Sequence, residues 1–82
     1  MGTFRYIIKD AVGIHARPAG ELVKLAKSLD SAITISKGSR TVDATRLLSV
    51  MSLGAKQGEE IVVAADSDED LEILKTFFEE HL

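Results

Sequence analysis

The stretch that decides the fold reads Gly13-Ile14-His15-Ala16-Arg17-Pro18-Ala19. It joins a run with strand-like alternation, Thr3–Ile8, to a run with helical spacing of apolar residues, about Ala16–Leu29. The first turn of a helix has backbone N–H groups without internal partners, and the aligned peptide dipoles put partial positive charge there. Because such a helix start stabilises anions, the stretch predicts a phosphate-binding position at the beginning of the first helix.

Two side chains give this helix start its chemistry. Arg17 supplies a fixed cation whose N–H groups match phosphate oxygens. His15 carries an imidazole, which can form covalent intermediates and titrates near neutral pH. A nucleophile within a phosphate cradle predicts a residue that is itself phosphorylated. The alternative is that His15 is only a cap or surface residue of a ligand-binding or structural α/β module.

Composition restricts the class of protein. The 82 residues predict one domain, 1–82, and a hydrophobic content of 45% is ordinary for a chain with one compact core. There is no cysteine, which fits a reducing cytoplasm, and no signal-peptide pattern. No apolar run reaches the length of a membrane span, so no membrane insertion is expected. A net charge of −3 gives no reason to expect nucleic-acid binding.

The rest of the chain continues the alternation of strands and helices. Three further strands and two further helices are predicted at Ala32–Lys37, Thr41–Asp43, Arg46–Leu53, Ile61–Ala65 and Glu69–Leu82. Thr45 is the expected N-cap of the short second helix, and Ser67 with Asp70 resembles a capping box for the last one. The order β-α-β-β-α-β-α with a central hairpin predicts an α+β fold, one antiparallel sheet with the helices over one face.

The second helix is unusually apolar for its length. The run Arg46–Leu53 offers more apolar side chains than one buried helix face can take. Leu47, Leu48 and Met51 therefore either pack into the core or form an exposed patch for a partner. His81 is expected to be a surface residue that complements the dipole of the last helix. It has no clustered ligand partner, so no metal site is predicted.

Two motifs in register make the chain resemble a known family. The stretch Gly13–Ala19 resembles the active-site signature of HPr, the histidine-containing phosphocarrier of the bacterial phosphoenolpyruvate:sugar phosphotransferase system. The run Leu47–Gly54 resembles the second signature of that family. The resemblance covers essentially the whole chain. It implies the HPr open-faced sandwich, a four-stranded antiparallel sheet in the order 1-4-2-3 with three helices on one face.

The resemblance also implies a function. His15 would accept a phosphoryl group on Nδ1 from phosphorylated Enzyme I and pass it to enzyme IIA domains of sugar permeases, with Arg17 and the helix start at Ala16 and Pro18 stabilising that group. Such a chain is a cytoplasmic carrier without a cofactor rather than an enzyme, and a monomer is expected. Family members dock their partners through positions that correspond here to Glu21, Lys24, Lys27, Arg46, Leu47, Leu48 and Met51.

Two positions depart from the family pattern. Arg46 stands where Gram-positive members carry a regulatory serine, and Val12 stands where a serine or asparagine near the active histidine is common. Kinase regulation is therefore not expected in its usual form, and one polar contact to the phosphoryl group is expected to be missing. Arg46 favours an alternative function, an HPr-like regulatory relay outside sugar transport, such as a nitrogen-branch carrier.

Overall fold

A computed structural model describes residues 2–82, in which seven elements follow the predicted order β-α-β-β-α-β-α. Their bounds are β1 (Gly2–Ile7), α1 (Ala16–Ser28), β2 (Thr34–Lys37), β3 (Arg40–Asp43), α2 (Leu47–Ser52), β4 (Glu60–Ala65) and α3 (Asp68–His81). None of these helices is both long and apolar enough to cross a membrane.

The four strands form one antiparallel sheet in the order β1-β4-β2-β3. Val63 of β4 lies opposite both Phe4 of β1 and Ile35 of β2, so β4 is an internal strand with a neighbour on each side. The apolar, β-branched run Ile61–Ala65 suits this position because its residues are shielded along both edges. The predicted fold class and strand order are confirmed.

Side chains of β1 alternate between the core and the free face of the sheet. Tyr6 is buried and Phe4 packs against the core, whereas Arg5 and Ile7 are exposed. This period of two leaves one face of the sheet for the helices. Phe78 of α3 is fully buried on that face, and its ring lies 5.9 Å from the ring of Phe4 and 5.5 Å from that of Tyr6, centre to centre.

The first and last helices complete this core with apolar stripes. The buried residues of α1 are spaced by three or four positions, which places them on one side of the helix. The same holds for the buried residues of α3. These residues are Pro18, Ala19, Leu22, Val23 and Ala26 in α1 and Leu74, Phe77 and Phe78 in α3.

The prediction of Thr45 as the N-cap of α2 is wrong. The N-cap is Arg46, which makes no side-chain capping bond. Thr45 instead turns towards Asp43, whose Oδ1 accepts hydrogen bonds from the Thr45 backbone N–H at 2.8 Å and from its hydroxyl at 2.7 Å. These hydrogen bonds stabilise the carboxylate and hold the pKa of Asp43 below its usual value. A local Asx turn has therefore replaced the expected cap.

The expected capping box of α3 is formed only in part. Ser67 is the N-cap, and its hydroxyl accepts a hydrogen bond from the backbone N–H of Asp70 at 3.2 Å. The Asp70 carboxylate does not complete the box, because it accepts a hydrogen bond from the Ser31 hydroxyl at 2.5 Å. This bond ties the start of α3 to the segment between α1 and β2.

The loop from β1 to α1 is fixed by a close approach of two backbones at Gly13. This residue has a φ of +84°, and a Cβ placed on it would lie 2.3 Å from the carbonyl oxygen of Ala55. The same oxygen accepts a hydrogen bond from the N–H of Ile14 at 2.9 Å. Only glycine fits a position that combines positive φ with backbone contact at this distance.

Replacement of Gly13 by alanine is expected to lower the free energy of unfolding by about 2–4 kcal/mol, because strain and displacement of the Ala55 backbone add together. The matched control is Gly54→Ala, since Gly54 also has positive φ, at +61°, but its Cβ would meet nothing within 4 Å. That variant should lose only about 1 kcal/mol. Urea denaturation of both variants measures the difference, and equal losses would contradict the role of the Ala55 contact.

Candidate phosphoryl-acceptor site

His15 stands at the start of α1, directly after the Gly13 turn. It is the N-cap of the helix, with extended backbone angles, and its carbonyl oxygen accepts the N–H of Ala19 at 2.9 Å. Its imidazole makes no capping hydrogen bond. The hypothesis that this side chain serves only as a helix cap therefore lacks the bond on which it depends.

The first turn of α1 offers backbone donors to an anion. Within the described residues, the N–H groups of Ala16 and Arg17 have no hydrogen-bond acceptor. Pro18 has no N–H, so it adds nothing to this donor set, but it suits a position in the first turn where an N–H would be unpaired. Its ring is buried. The donors of the helix start are thus two amides and the partial positive charge of the helix dipole.

An open cleft of about 370 Å³ brings the predicted acceptor and the predicted cation together. His15 is half-buried in it, and Arg17 is exposed. The guanidinium makes no ion pair with the carboxylates described here. It therefore stays available to an incoming anion. The cleft is lined by Asp10, His15, Arg17, Pro18, Glu21 and His81.

Asp10 holds the loop that leads into the cleft, and sequence reasoning did not identify it. Its carboxylate oxygen Oδ1 accepts the backbone N–H of Val12 at 2.8 Å and that of Gly13 at 3.2 Å. This is an Asx turn, and an aspartate followed three residues later by glycine is a recognisable signal for one. The turn sets the direction in which the chain reaches His15.

The end of α3 also contributes to the lining of the cleft. The backbone N–H groups of Lys9 and Asp10 donate to the Leu82 carbonyl oxygen at 2.6 Å and 2.8 Å. These bonds bring His81 to the cleft, where its Nδ1 lies 3.4 Å from Oε2 of Glu21. The prediction that His81 is a surface residue agrees with its exposure, but the sequence analysis did not place it in the cleft that His15 lines. No local sequence signal could reveal it, because the contact joins two separate helices.

Comparison with known proteins agrees with this geometry. Residues 3–80 match a family model described as the PTS HPr component phosphorylation site. The chain belongs to the HPr family. Two curated relatives, each called phosphocarrier protein HPr, are 39% identical over 69 residues, which is 84% of this chain. The one from Chlamydia pneumoniae is matched over 64% of its own length and the one from Mycoplasma capricolum over 78%.

Solved structures agree as well. An HPr structure from Thermoanaerobacter tengcongensis superimposes with a TM-score of 0.90 at 32% sequence identity, covering 98% of this chain and 93% of that one. The family is one of phosphocarriers, so the resemblance seen in the two sequence motifs is confirmed. The sheet order and the three helices are those that this resemblance implied.

The apolar residues of the second HPr signature are exposed. Leu48 is 81% exposed, Leu47 is 40% exposed and Met51 is 36% exposed, whereas Val50 is buried in the core. Of the two possibilities that the sequence left open, the exposed patch is therefore the one observed. Such a cluster on one short helix is a typical binding surface. We call Leu47, Leu48 and Met51 the apolar patch.

The charged residues expected to dock partners lie around these features. Arg46 is exposed at the start of α2, and Lys27 is exposed in the last turn of α1. Lys24 lines a shallow groove between α1 and α3, together with Glu21, Leu25 and Phe77, rather than the cleft of His15. Of the acidic and basic residues expected on α1 for docking, Glu21 alone therefore lines the cleft.

The β2–β3 hairpin holds α2, and with it the apolar patch, in place. The Arg40 guanidinium donates to the carbonyl oxygen of Ser52 at 2.9 Å and to its hydroxyl at 2.8 Å. The Lys37 ammonium donates to the carbonyl oxygen of Gly54 at 3.2 Å and pairs with Glu59 at the same distance. Cations suit this end of a helix because its carbonyl groups carry partial negative charge. Two side chains that the sequence analysis did not single out thus orient the patch.

Proposed function

We propose that this chain accepts a phosphoryl group on Nδ1 of His15 from phosphorylated Enzyme I and passes it to a histidine of enzyme IIA domains in sugar uptake. The observation that carries the proposal is the shared cleft of His15 and Arg17 at the start of α1, where two amides have no internal acceptor. Membership of the HPr family supports the same conclusion.

The transfer step is a displacement at phosphorus between two histidines. The lone pair of His15 Nδ1 attacks phosphorus, and the bond from phosphorus to the donor's histidine nitrogen breaks, leaving its electron pair on that nitrogen. A second displacement delivers the group: a histidine nitrogen of the acceptor domain attacks phosphorus, and the bond from phosphorus to Nδ1 of His15 breaks, leaving its electron pair on Nδ1. The Arg17 guanidinium and the backbone N–H groups of Ala16 and Arg17 donate hydrogen bonds to the phosphoryl oxygens. Such donors stabilise the negative charge of the group during transfer.

The cleft suits a carrier rather than a self-sufficient enzyme. It is open, so a partner can reach His15 directly, and its cation and donors are few enough to hold the group without trapping it. In this proposal residues 1–82 form one phosphocarrier domain that acts in the cytoplasm as a monomer. A monomer leaves the cleft and the apolar patch accessible to two partners in turn.

The direct test is incubation with Enzyme I and phosphoenolpyruvate, followed by mass spectrometry that maps the modified residue. We expect one acid-labile, base-stable phosphate on His15. His15→Ala should take up none, whereas His81→Gln should still be labelled because it retains the proposed acceptor. Absence of phosphate on His15 in the unmodified chain would refute the proposed function.

Arg17→Ala should slow phosphoryl transfer in both directions by about 10–100-fold, the range expected for loss of a charged hydrogen-bond donor. Arg17→Lys should restore part of the transfer rate, because lysine keeps the positive charge but cannot form the bidentate hydrogen bonds of arginine. Rapid-quench kinetics give the transfer rates, and calorimetric titration gives the affinity for Enzyme I. A loss confined to affinity would assign Arg17 to docking instead.

Leu48→Ala should weaken binding of Enzyme I by about tenfold, the effect of removing an apolar anchor at an interface. Its stability should change by less than about 0.5 kcal/mol, since the side chain is 81% exposed. The matched control is Ile73→Ala, which removes an exposed apolar side chain from α3 outside the apolar patch. Equal affinities of the two variants would count against docking through the patch.

Arg46 supports a second candidate, a regulatory relay outside sugar transport. It is exposed at the N-cap of α2, beside the apolar patch, at the position where the family resemblance places a regulatory serine. Both candidate functions include phosphorylation of His15, so only the process that the phosphorylated protein serves distinguishes them. Restoration of sugar uptake in a strain that lacks its own HPr would support the transport role, and failure of uptake with labelling intact would favour the relay.

A further inference from the structure

His81 faces the cleft that His15 and Arg17 line, although it is far from both in sequence. We call this cleft the phosphoryl cleft. Its side chain lines the same cleft as His15 and Arg17. It is held there by the Phe77 ring, whose centre lies 4.6 Å from that of the imidazole, and by Glu21, whose Oε2 lies 3.4 Å from Nδ1. These contacts orient the ring, although 44% of the side chain is exposed.

A second donor on His81 remains free. A protonated imidazole has N–H groups on both ring nitrogens. Nδ1 faces the Glu21 carboxylate, and Nε2 has no hydrogen-bond partner within residues 2–82. Nε2 can therefore donate to another anion while Nδ1 keeps its contact with Glu21.

The fixed charges around the cleft make such a donor useful. Asp10 from the β1–α1 loop and Glu21 from α1 are carboxylates, whereas Arg17 is the fixed cation that lines the cleft. A phosphoryl group on His15 adds negative charge to a cleft that already holds these two acids. Like charges that line one cleft raise the free energy of the phosphorylated state, and a further cation lowers it.

Building on the proposed function, we propose that His81 is a second, titratable cation of the phosphoryl cleft, one that stabilises phosphorylated His15 when its imidazole is protonated. Protonated His81 neutralises Glu21 and attracts the phosphoryl oxygens. Neutral His81 does not neutralise Glu21, and it attracts the phosphoryl oxygens more weakly. The phosphorylated carrier is then more stable with His81 protonated than with His81 neutral, so its tendency to give up the phosphoryl group rises when the imidazole loses its proton.

The charged and titratable groups that face His81 from the other elements of the cleft are Asp10, His15, Arg17 and Glu21. On its own helix it contacts the neutral Phe77 ring. Carboxylates and the guanidinium keep their charge at neutral pH, whereas imidazoles titrate there. His15 and its phosphoryl group are common to all variants of His81, so a comparison of variants at one pH isolates the contribution of His81.

The test is the equilibrium constant for phosphoryl exchange with Enzyme I, measured at about pH 6 and about pH 8.5, on either side of the imidazole titration. An equilibrium constant depends only on the free proteins and their phosphorylated forms, so altered docking cannot change it. The proteins are the unmodified chain, His81→Gln, His81→Lys and Lys75→Gln. Lys75 is the matched control, an exposed cation of α3 that does not line the cleft.

At about pH 6 the constant for the unmodified chain should exceed that of His81→Gln by about two- to fivefold, the range for ion pairs between exposed groups. At about pH 8.5 the two constants should agree, because a neutral imidazole, like glutamine, has no charge to attract the phosphoryl oxygens. His81→Lys should exceed His81→Gln at both values, since lysine keeps its charge. Lys75→Gln should follow the unmodified chain. Amide NMR spectra verify that each variant is folded.

Equal constants for the unmodified chain and His81→Gln at both pH values, with His15 phosphorylated in each, would overturn the role of His81 and leave the proposed function standing. A pH-independent difference that His81→Lys fails to reverse would also overturn it, because the effect would then be structural rather than ionic. Absence of phosphate on His15 in the unmodified chain would overturn the proposed function and this inference together.

Discussion

The site depends on one close backbone contact, the approach of Gly13 to Ala55. The carbonyl oxygen of Ala55 accepts the N–H of Ile14 at 2.9 Å, and a side chain on Gly13 would collide with it. This contact joins the loop before α1 to the loop before β4, so it sets where α1 begins. Because α1 begins immediately after it, His15 becomes the N-cap and its imidazole stays free of the helix backbone.

The charges of the cleft fit the proposed function, in which a small chain holds a phosphoryl group and still releases it. In that proposal the cation Arg17 and two free amides would attract the group, whereas the carboxylates of Asp10 and Glu21 would oppose it. A carrier benefits from this balance, since a cleft with attractive groups alone would bind the phosphorylated state too tightly for onward transfer. The Glu21–His81 pair adds a further charged contact to this cleft.

The short helix α2 and its exposed apolar patch are held in place by the rest of the fold. Six residues would form a marginal helix in isolation, because helix nucleation is costly. Here Val50 and Leu53 are buried in the core, and Arg40 and Lys37 bind the carbonyl groups at its end. The apolar patch is therefore exposed on a rigid support, so little conformational entropy remains to be lost when a partner binds.

The sequence by itself determined the elements, their order and the pairing of His15 with Arg17, because these depend on local periodicity and on residues two positions apart. It also indicated that α2 is too apolar for one buried face. Only the tertiary structure decided that Leu47, Leu48 and Met51 are exposed, since exposure depends on what packs against a helix. The prediction of a Thr45 cap was wrong because the Asp43 carboxylate, only two residues away in sequence, accepts the Thr45 hydroxyl instead. The meeting of Glu21 and His81 needs α1 and α3 folded onto one sheet, so no local pattern encodes it.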